Sequence, residues 1–333
     1  MNAQSGPIYF CFVELGTCRK CLTFCKTRQT VSLRSMRCLI IGGTRVIGPR
    51  VVRRLHARGW DIAVLHRGIH VIPLPANVLR ITDESAGIPV LRVPSAAQGF
   101  EPDVVLHMIA MGEQDAEAAM AAFDGCAGRI VVLSSGDVYR AYGRFIGTEP
   151  GPIEPTPLTE DAPLRDRLFP YRESASSSGD LTYRYDKILV ERVARSRSQL
   201  PGTVLRLPKV YGPEENSDLA TVYGFRDQPL WRWTHGYVEN VAEAIALAVI
   251  DPRATNNVFN VGEAHTPTMA ERLVRLPDRD VAPAVEHGKN FAQDIACDTS
   301  KIRRELGFVD VADEIEAMAA CGRALNLSSA GPD

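Results

Sequence analysis

The sequence predicts a doubly wound α/β fold: a parallel sheet with helices on both faces and a small C-terminal substrate-binding region. Three observations predict it. Short apolar runs recur along the chain, as strands buried on both faces require. Segments with helical spacing separate them at the interval of a βαβ unit. The first run ends in a glycine-rich turn that opens a helix.

From Met36 the elements follow in order. Cys38-Leu39-Ile40-Ile41 is a buried strand, residues 47–58 read as a helix, and residues 61–65 are the second strand. Strands follow at 103–108 and 129–133, joined by a helix with apolar positions at Ala116, Ala119, Met120 and Phe123. No strand can be placed within residues 69–100. Residues 143–180 are rich in proline, glycine and serine, including Glu149-Pro150-Gly151-Pro152, and read as a long polar connection suited to a lid. A helix is expected over 183–195, a strand over 203–207, a helix over 239–250 and a strand over 257–261, with helical pieces beyond. This organisation gives an N-terminal extension over 1–35, expected to be disordered, and a dinucleotide-binding domain over 36–213 with returning elements near 236–262. A smaller substrate-binding region occupies 214–330.

Net charge over the 333 residues is −2, so no overall basic field draws the chain to nucleic acid or an anionic membrane. No apolar run reaches the length of a membrane span, and the first residues lack the pattern of a secretory signal, so the expected location is cytoplasmic. Four of the eight cysteines, Cys11, Cys18, Cys21 and Cys25, fall in the first 25 residues. Cys18 and Cys21 have a spacing that thiolate metal sites use, but no second such pair completes a closed site, and no metal is expected.

Gly42-Gly43-Thr44-Arg45-Val46-Ile47-Gly48 joins the first strand to the first helix. Gly42 permits the tight turn and Gly48 lets helix and strand approach. The helix N-terminus then receives a pyrophosphate, as in Rossmann-type folds. The second strand ends in His66-Arg67-Gly68, where an acidic residue would accept the 2′-hydroxyl of NAD; none stands there. Arg67 and Arg45 suit the 2′-phosphate of NADP instead, which inclines the cofactor expectation to NADP over NAD.

Tyr183 and Lys187 are four residues apart, one turn on a single helical face if the helix begins at Tyr183. A free phenol is too weakly acidic to act as a base near neutrality, and a neighbouring ammonium favours its ionised form. The same ammonium can hold the nicotinamide ribose. Ser135 follows the strand over 129–133, at the sheet edge where open α/β sheets place ligands, and can hydrogen-bond a reacting carbonyl oxygen.

Together these features resemble the extended short-chain dehydrogenases/reductases, the NAD-dependent epimerase/dehydratase family. The likeness runs from about Met36 to Phe308 and includes LIIGGTRVIG, VVLSSGDVYR, LRLPKVYGP, GYVENVAEAIALAV and VFNVGE. It implies that Ser135, Tyr183 and Lys187 are catalytic. It also implies that Gly42, Thr44, Ile47 and Gly48 line the pyrophosphate, that Pro208 sits near the nicotinamide and that Asp83 contacts adenine. A homodimer is a family-level expectation. The chain departs from the family pattern at Arg45, where a glycine is usual, and at Lys209, where asparagine is frequent. Gly136 and Asp137 replace the carboxylate pair of sugar-nucleotide dehydratases, which argues against dehydration. The resemblance implies an NAD(P)-dependent oxidoreductase or epimerase acting on a hydroxyl or carbonyl group of a small molecule, a sugar or sugar nucleotide. The alternatives are a non-catalytic dinucleotide sensor or RNA-binding protein and, given the short 214–232 segment, an enzyme that has lost its substrate pocket. Trp231 and Trp233 are expected to pack, and His235 to be structural.

Overall fold

A computed structural model describes residues 34–329 except 71, 85, 280, 282 and 285–287. The cysteine-rich segment and nearly all of the expected N-terminal extension lie outside the described residues. The strands are β1 (Arg37–Ile41), β2 (Asp61–His66), β3 (Leu79–Thr82), β4 (Val104–His107), β5 (Arg129–Ser135), β6 (Gly202–Leu207), β7 (Lys209–Tyr211), β8 (His235–Tyr237) and β9 (Val258–Asn260). Seven of them form one sheet in the order β3-β2-β1-β4-β5-β6-β9, every pairing parallel. The order reverses at β1, and the carboxyl edge there opens into a crevice, the usual ligand position of a doubly wound sheet. β7 and β8 pair separately beyond that edge. The strand that the sequence alone did not place is β3, only four residues long.

Both faces of the sheet are covered. On one, the helix Gly48–Ala57 lies against the helix Val238–Ile250 over a core containing Ile40, Val52, Leu55, Leu106 and Ile245. Arg50 and Arg54 reach Glu239, and Arg54 and Arg58 reach Glu243, so residues one turn apart on the first helix tie down the second. On the other face the helices Glu113–Phe123 and Lys187–Ala194 pack over Leu39, Ile41, Phe123, Ile130 and Val190. A third cluster beyond the carboxyl edge is aromatic. Trp231 stacks on Phe145 at a centroid distance of 4.7 Å and meets Phe225 and Phe291 edge-on, while its indole donates to Gln293 O at 2.8 Å. Among the described residues no helix is long and apolar enough to cross a membrane.

The expected helix from Tyr183 is not continuous. A turn over Leu181–Arg184 ends, Tyr185 and Asp186 are extended, and the helix proper starts at Lys187. Asp186 causes the break. Its buried carboxylate caps Ile188 N at 2.8 Å and accepts from Phe169 N, with the Arg165 guanidinium 3.8 Å away. A residue serving as N-cap has non-helical backbone, so the preceding chain cannot continue the helix.

Candidate active site

The turn after β1 is built for close approach. Gly42 and Gly43 have φ of +94° and +85°, and a Cβ on Gly48 would lie 2.2 Å from the Gly43 Cα. The helix that follows carries no side-chain cap; Gly48 N donates to Arg45 O at 2.9 Å, residue 49 is proline and Arg50 N donates to Ile47 O at 3.1 Å, so the turn itself closes the helix start. A crevice of about 420 Å³ extends from this turn along the sheet edge, lined by Thr44, Arg45, Ile47, Arg67, Tyr185 and Lys187 among others. No described lining residue is a carboxylate. The glycine cradle, open to close approach of a pyrophosphate, and the exposed Arg45 and Arg67 fit a dinucleotide.

Lys187 is buried at the inner end of this crevice. Its ammonium donates to Ala110 O and to Leu133 O at 3.1 Å. Its value is lowered from 10.5 to about 8: burial drives it down, and the Asp137, Asp115 and Glu191 carboxylates offset only part of that. The Lys187 ammonium is 5.8 Å from the Tyr185 ring centroid.

A second, smaller cavity of about 260 Å³ adjoins the first and shares Tyr185 and Leu207 with it. Ser135, Asp137, Tyr142, Tyr171, Pro208 and Trp233 belong to this side. The Tyr185 and Tyr171 hydroxyls donate to Asp137 Oδ2 at 2.9 and 3.0 Å, and Tyr171 also reaches the Tyr142 hydroxyl at 3.2 Å. Arg165 braces the loop by donating to Asp137 O. Burial and the Asp137 carboxylate hold the Tyr185 phenol well above the ordinary tyrosine value, with the Ser135 hydroxyl pulling the other way. Burial also raises the Asp137 carboxyl, against the Arg165 charge.

Of the expected catalytic residues, the structure brings Ser135 and Lys187 to one place and leaves Tyr183 out of it. Tyr183 lines a third cavity, with Phe169 and Arg184. The Arg172 guanidinium lies over its ring at 4.8 Å and donates to its carbonyl. The phenol beside Ser135 and Lys187 is that of Tyr185, two residues later, because the Asp186 cap separates Tyr183 from the helix. Asp186 followed by an apolar run is a helix-start signal that could have located the break. Gly42, Thr44, Arg45, Ile47 and Arg67 line the crevice, with Gly48 beneath the turn. Pro208 lies on the second cavity, and Asp83 is not among the lining residues of either. Trp231 is core, Trp233 lines the second cavity, and His235 is fully buried, bonded to Trp233 O and Thr221 Oγ1.

Comparison with known proteins matches residues 38–262 to the NAD dependent epimerase/dehydratase family. The chain is 31% identical over 186 residues to a 3-diazoavenalumate denitrifying reductase from a Streptomyces species, covering 54% of this chain and 57% of the relative. It is 26% identical over 274 residues to the 2′-dehydrokanamycin reductase of Streptomyces kanamyceticus, covering 76% of this chain and 66% of the relative. It therefore spans somewhat less than two thirds of the length of each of these curated relatives. The fold is similar to that of the Bordetella bronchiseptica enzyme WbmG in complex with NAD, with a TM-score of 0.63, 18% identity and coverage of 90% and 96% of the two chains. A Thermus thermophilus UDP-glucose 4-epimerase complex with NAD gives 0.60, 20%, 87% and 99%. The family match covers the whole sheet, from the phosphate turn to its last strand, and the chain belongs to the NAD-dependent epimerase/dehydratase family of extended short-chain dehydrogenases/reductases.

Proposed function

We propose that the protein is an NAD(P)-dependent oxidoreductase that works on a hydroxyl or carbonyl group, with Tyr185, Ser135 and Lys187 as its reacting set. The observation that carries this reading is a single phenol, Tyr185, lying on both the dinucleotide crevice and the adjoining cavity. The coenzyme, when bound, supplies or takes up a hydride. Lys187 uses the hydrogen-bonding capacity left after its two main-chain carbonyls to hold the ribose hydroxyls. Ser135 hydrogen-bonds the substrate oxygen, and Tyr185 exchanges a proton with that oxygen.

The reductive sense is the one proposed: the Tyr185 hydroxyl, which donates to Asp137 Oδ2 at 2.9 Å, carries the proton that a carbonyl oxygen takes up as hydride arrives at carbon. The two Streptomyces relatives, both named as reductases, support this sense. NADP is the preferred coenzyme in this reading: the crevice offers Arg67, His66 and His70 where a carboxylate would select NAD. The sugar or sugar-nucleotide class implied by family resemblance remains an analogy at the level of the fold.

Tyr185→Phe is expected to lower turnover about 10²- to 10⁴-fold with coenzyme binding retained, whereas Tyr183→Phe stays within a few-fold of the parent. Steady-state kinetics with NADPH and NADH, beside fluorescence titration of each coenzyme, decides it. The reverse ranking would return the phenol role to Tyr183. Coenzyme binding with turnover untouched in both variants would favour a dinucleotide sensor.

A further inference from the structure

We propose that the substrate is a small, phosphate-free ring compound whose own hydrogen-bond donor is accepted by Asp137. The proposal deepens the redox reading of the site and rests on it. Three features of the second cavity carry it.

The first is size. About 260 Å³ lies below the range of pockets that enclose drug-sized ligands. One ring fills that space, and a base, a ribose and two phosphates attached to it would have to lie outside it.

The second is charge. A diphosphate calls for free guanidinium or ammonium groups in hydrogen-bonding reach. The arginines around the cavity are committed elsewhere. Arg165 is held by Asp137 O, Arg167 O and Asp186, Arg206 by Glu191, and Arg272 by Glu263. Arg232 is engaged with Thr266 O and Glu271. Among the described lining residues Lys209 is the single base and Asp137 the single acid.

The third is lining chemistry. Tyr142, Tyr171, Tyr185 and Trp233 present aromatic surface to a ring. Asp137 is 6% exposed, its Oδ2 accepts two phenols, and its Oδ1 is buried without a hydrogen-bond partner. A buried carboxylate oxygen left unsatisfied is costly, and a substrate hydroxyl or ammonium next to the reacting carbonyl would satisfy it. Asp137 thus acts on specificity through Oδ1, while its Oδ2 takes the hydrogen bond of the Tyr185 phenol.

The test uses the full chain saturated with its coenzyme. UDP and UDP-glucose are titrated calorimetrically, and coenzyme oxidation is followed with cyclohexanone and 2-hydroxycyclohexanone. Neither nucleotide is expected to give saturable binding. The hydroxy-ketone should be preferred roughly tenfold in kcat/KM, the factor a hydrogen bond to a charged acceptor commands. Asp137→Asn should narrow that preference through KM, and Asp137→Glu should restore part of it. Saturable binding of UDP or UDP-glucose, equal use of the two ketones, or turnover of neither would overturn the proposal. Failure of the coenzyme itself to bind would instead remove the redox reading on which it stands.

Discussion

The crevice proposed for the dinucleotide and the adjoining cavity proposed for the substrate are built in opposite ways. The crevice over β1 and β2 is made from one contiguous turn, residues 42–48, and the strand end at 66–68, with backbone conformation doing most of the shaping. The second cavity draws Ser135 to Asp137, Tyr142, Tyr171, Tyr185, Lys209, Trp233, Ile295 and Cys297 from segments scattered over more than 150 residues of sequence. A local motif fixes the first because glycine geometry acts on neighbouring residues. The second depends on side chains meeting after the chain has folded, so its chemistry can change while the dinucleotide frame stays put.

The sharpest way to break this contrast is at Gly48. A Cβ there would sit 2.2 Å from the Gly43 Cα, with no flexible side chain able to yield. Gly48→Ala is expected to cut coenzyme affinity about 100-fold or more and to lower thermal stability, because a clash of backbone with backbone is relieved only by moving the turn. Coenzyme titration and thermal unfolding would show it, and parental affinity would mean that the turn is far softer than its geometry implies.

Trp231→Ala probes the other half. It empties a site packed by Phe145, Phe225 and Phe291 and frees Gln293 O, so a loss on the order of 3–5 kcal/mol is expected. The comparison predicts a split outcome at a temperature where the variant is folded. Substrate KM rises because Trp233 and Ile295 lose their backing, while coenzyme affinity stays close to the parent. Equal damage to both would show that the halves are not separable.

Smaller and more selective is the effect of pH on Lys187. With its ammonium held down to about 8, turnover should fall as pH climbs through that value, because a neutral amine loses its charge beside the phenol and the ribose. Between about 8 and 10.5 the unfolded chain binds one more proton at this position than the folded one. The contribution of this group to stability therefore rises with pH across that window while activity declines. A kcat/KM profile recorded with stability melts would separate the two, and an alkaline limb of activity that follows unfolding would refute the assignment. The mildest change is Arg67→Gln. NADPH should bind about tenfold more weakly and NADH almost unaltered, since an exposed arginine contributes one charge-assisted contact to the 2′-phosphate. Equal weakening of both coenzymes would place Arg67 on the pyrophosphate instead.

How much was legible beforehand differs along the same divide. The strands β1, β2, β4, β5, β6 and β9 can be read from apolar runs because burial on both faces leaves no alternative composition. The glycine turn can be read because Gly42 and Gly48 have steric reasons independent of what lies far away. β3 was hidden: it is short, and only one of its four residues is buried. Tyr183 and Lys187 do not share a helix face, for an equally physical reason. Spacing of four is meaningful only on a helix, and the Asp186 carboxylate, with Ile188 N and Phe169 N as partners, separates the turn over Leu181–Arg184 from the helix that starts at Lys187. The second of those partners is 17 residues upstream, beyond the reach of a local pattern.

The sequence by itself determined the doubly wound sheet, the phosphate turn and the place of Ser135 at the carboxyl end of its strand, since each follows from local periodicity or from the steric needs of glycine. Tertiary structure alone decided which tyrosine stands between the two cavities, that Asp137 accepts from two phenols, and that the surrounding arginines are consumed by internal carboxylates. Those outcomes depend on distances between residues remote in the chain, which packing sets and no short-range spacing encodes.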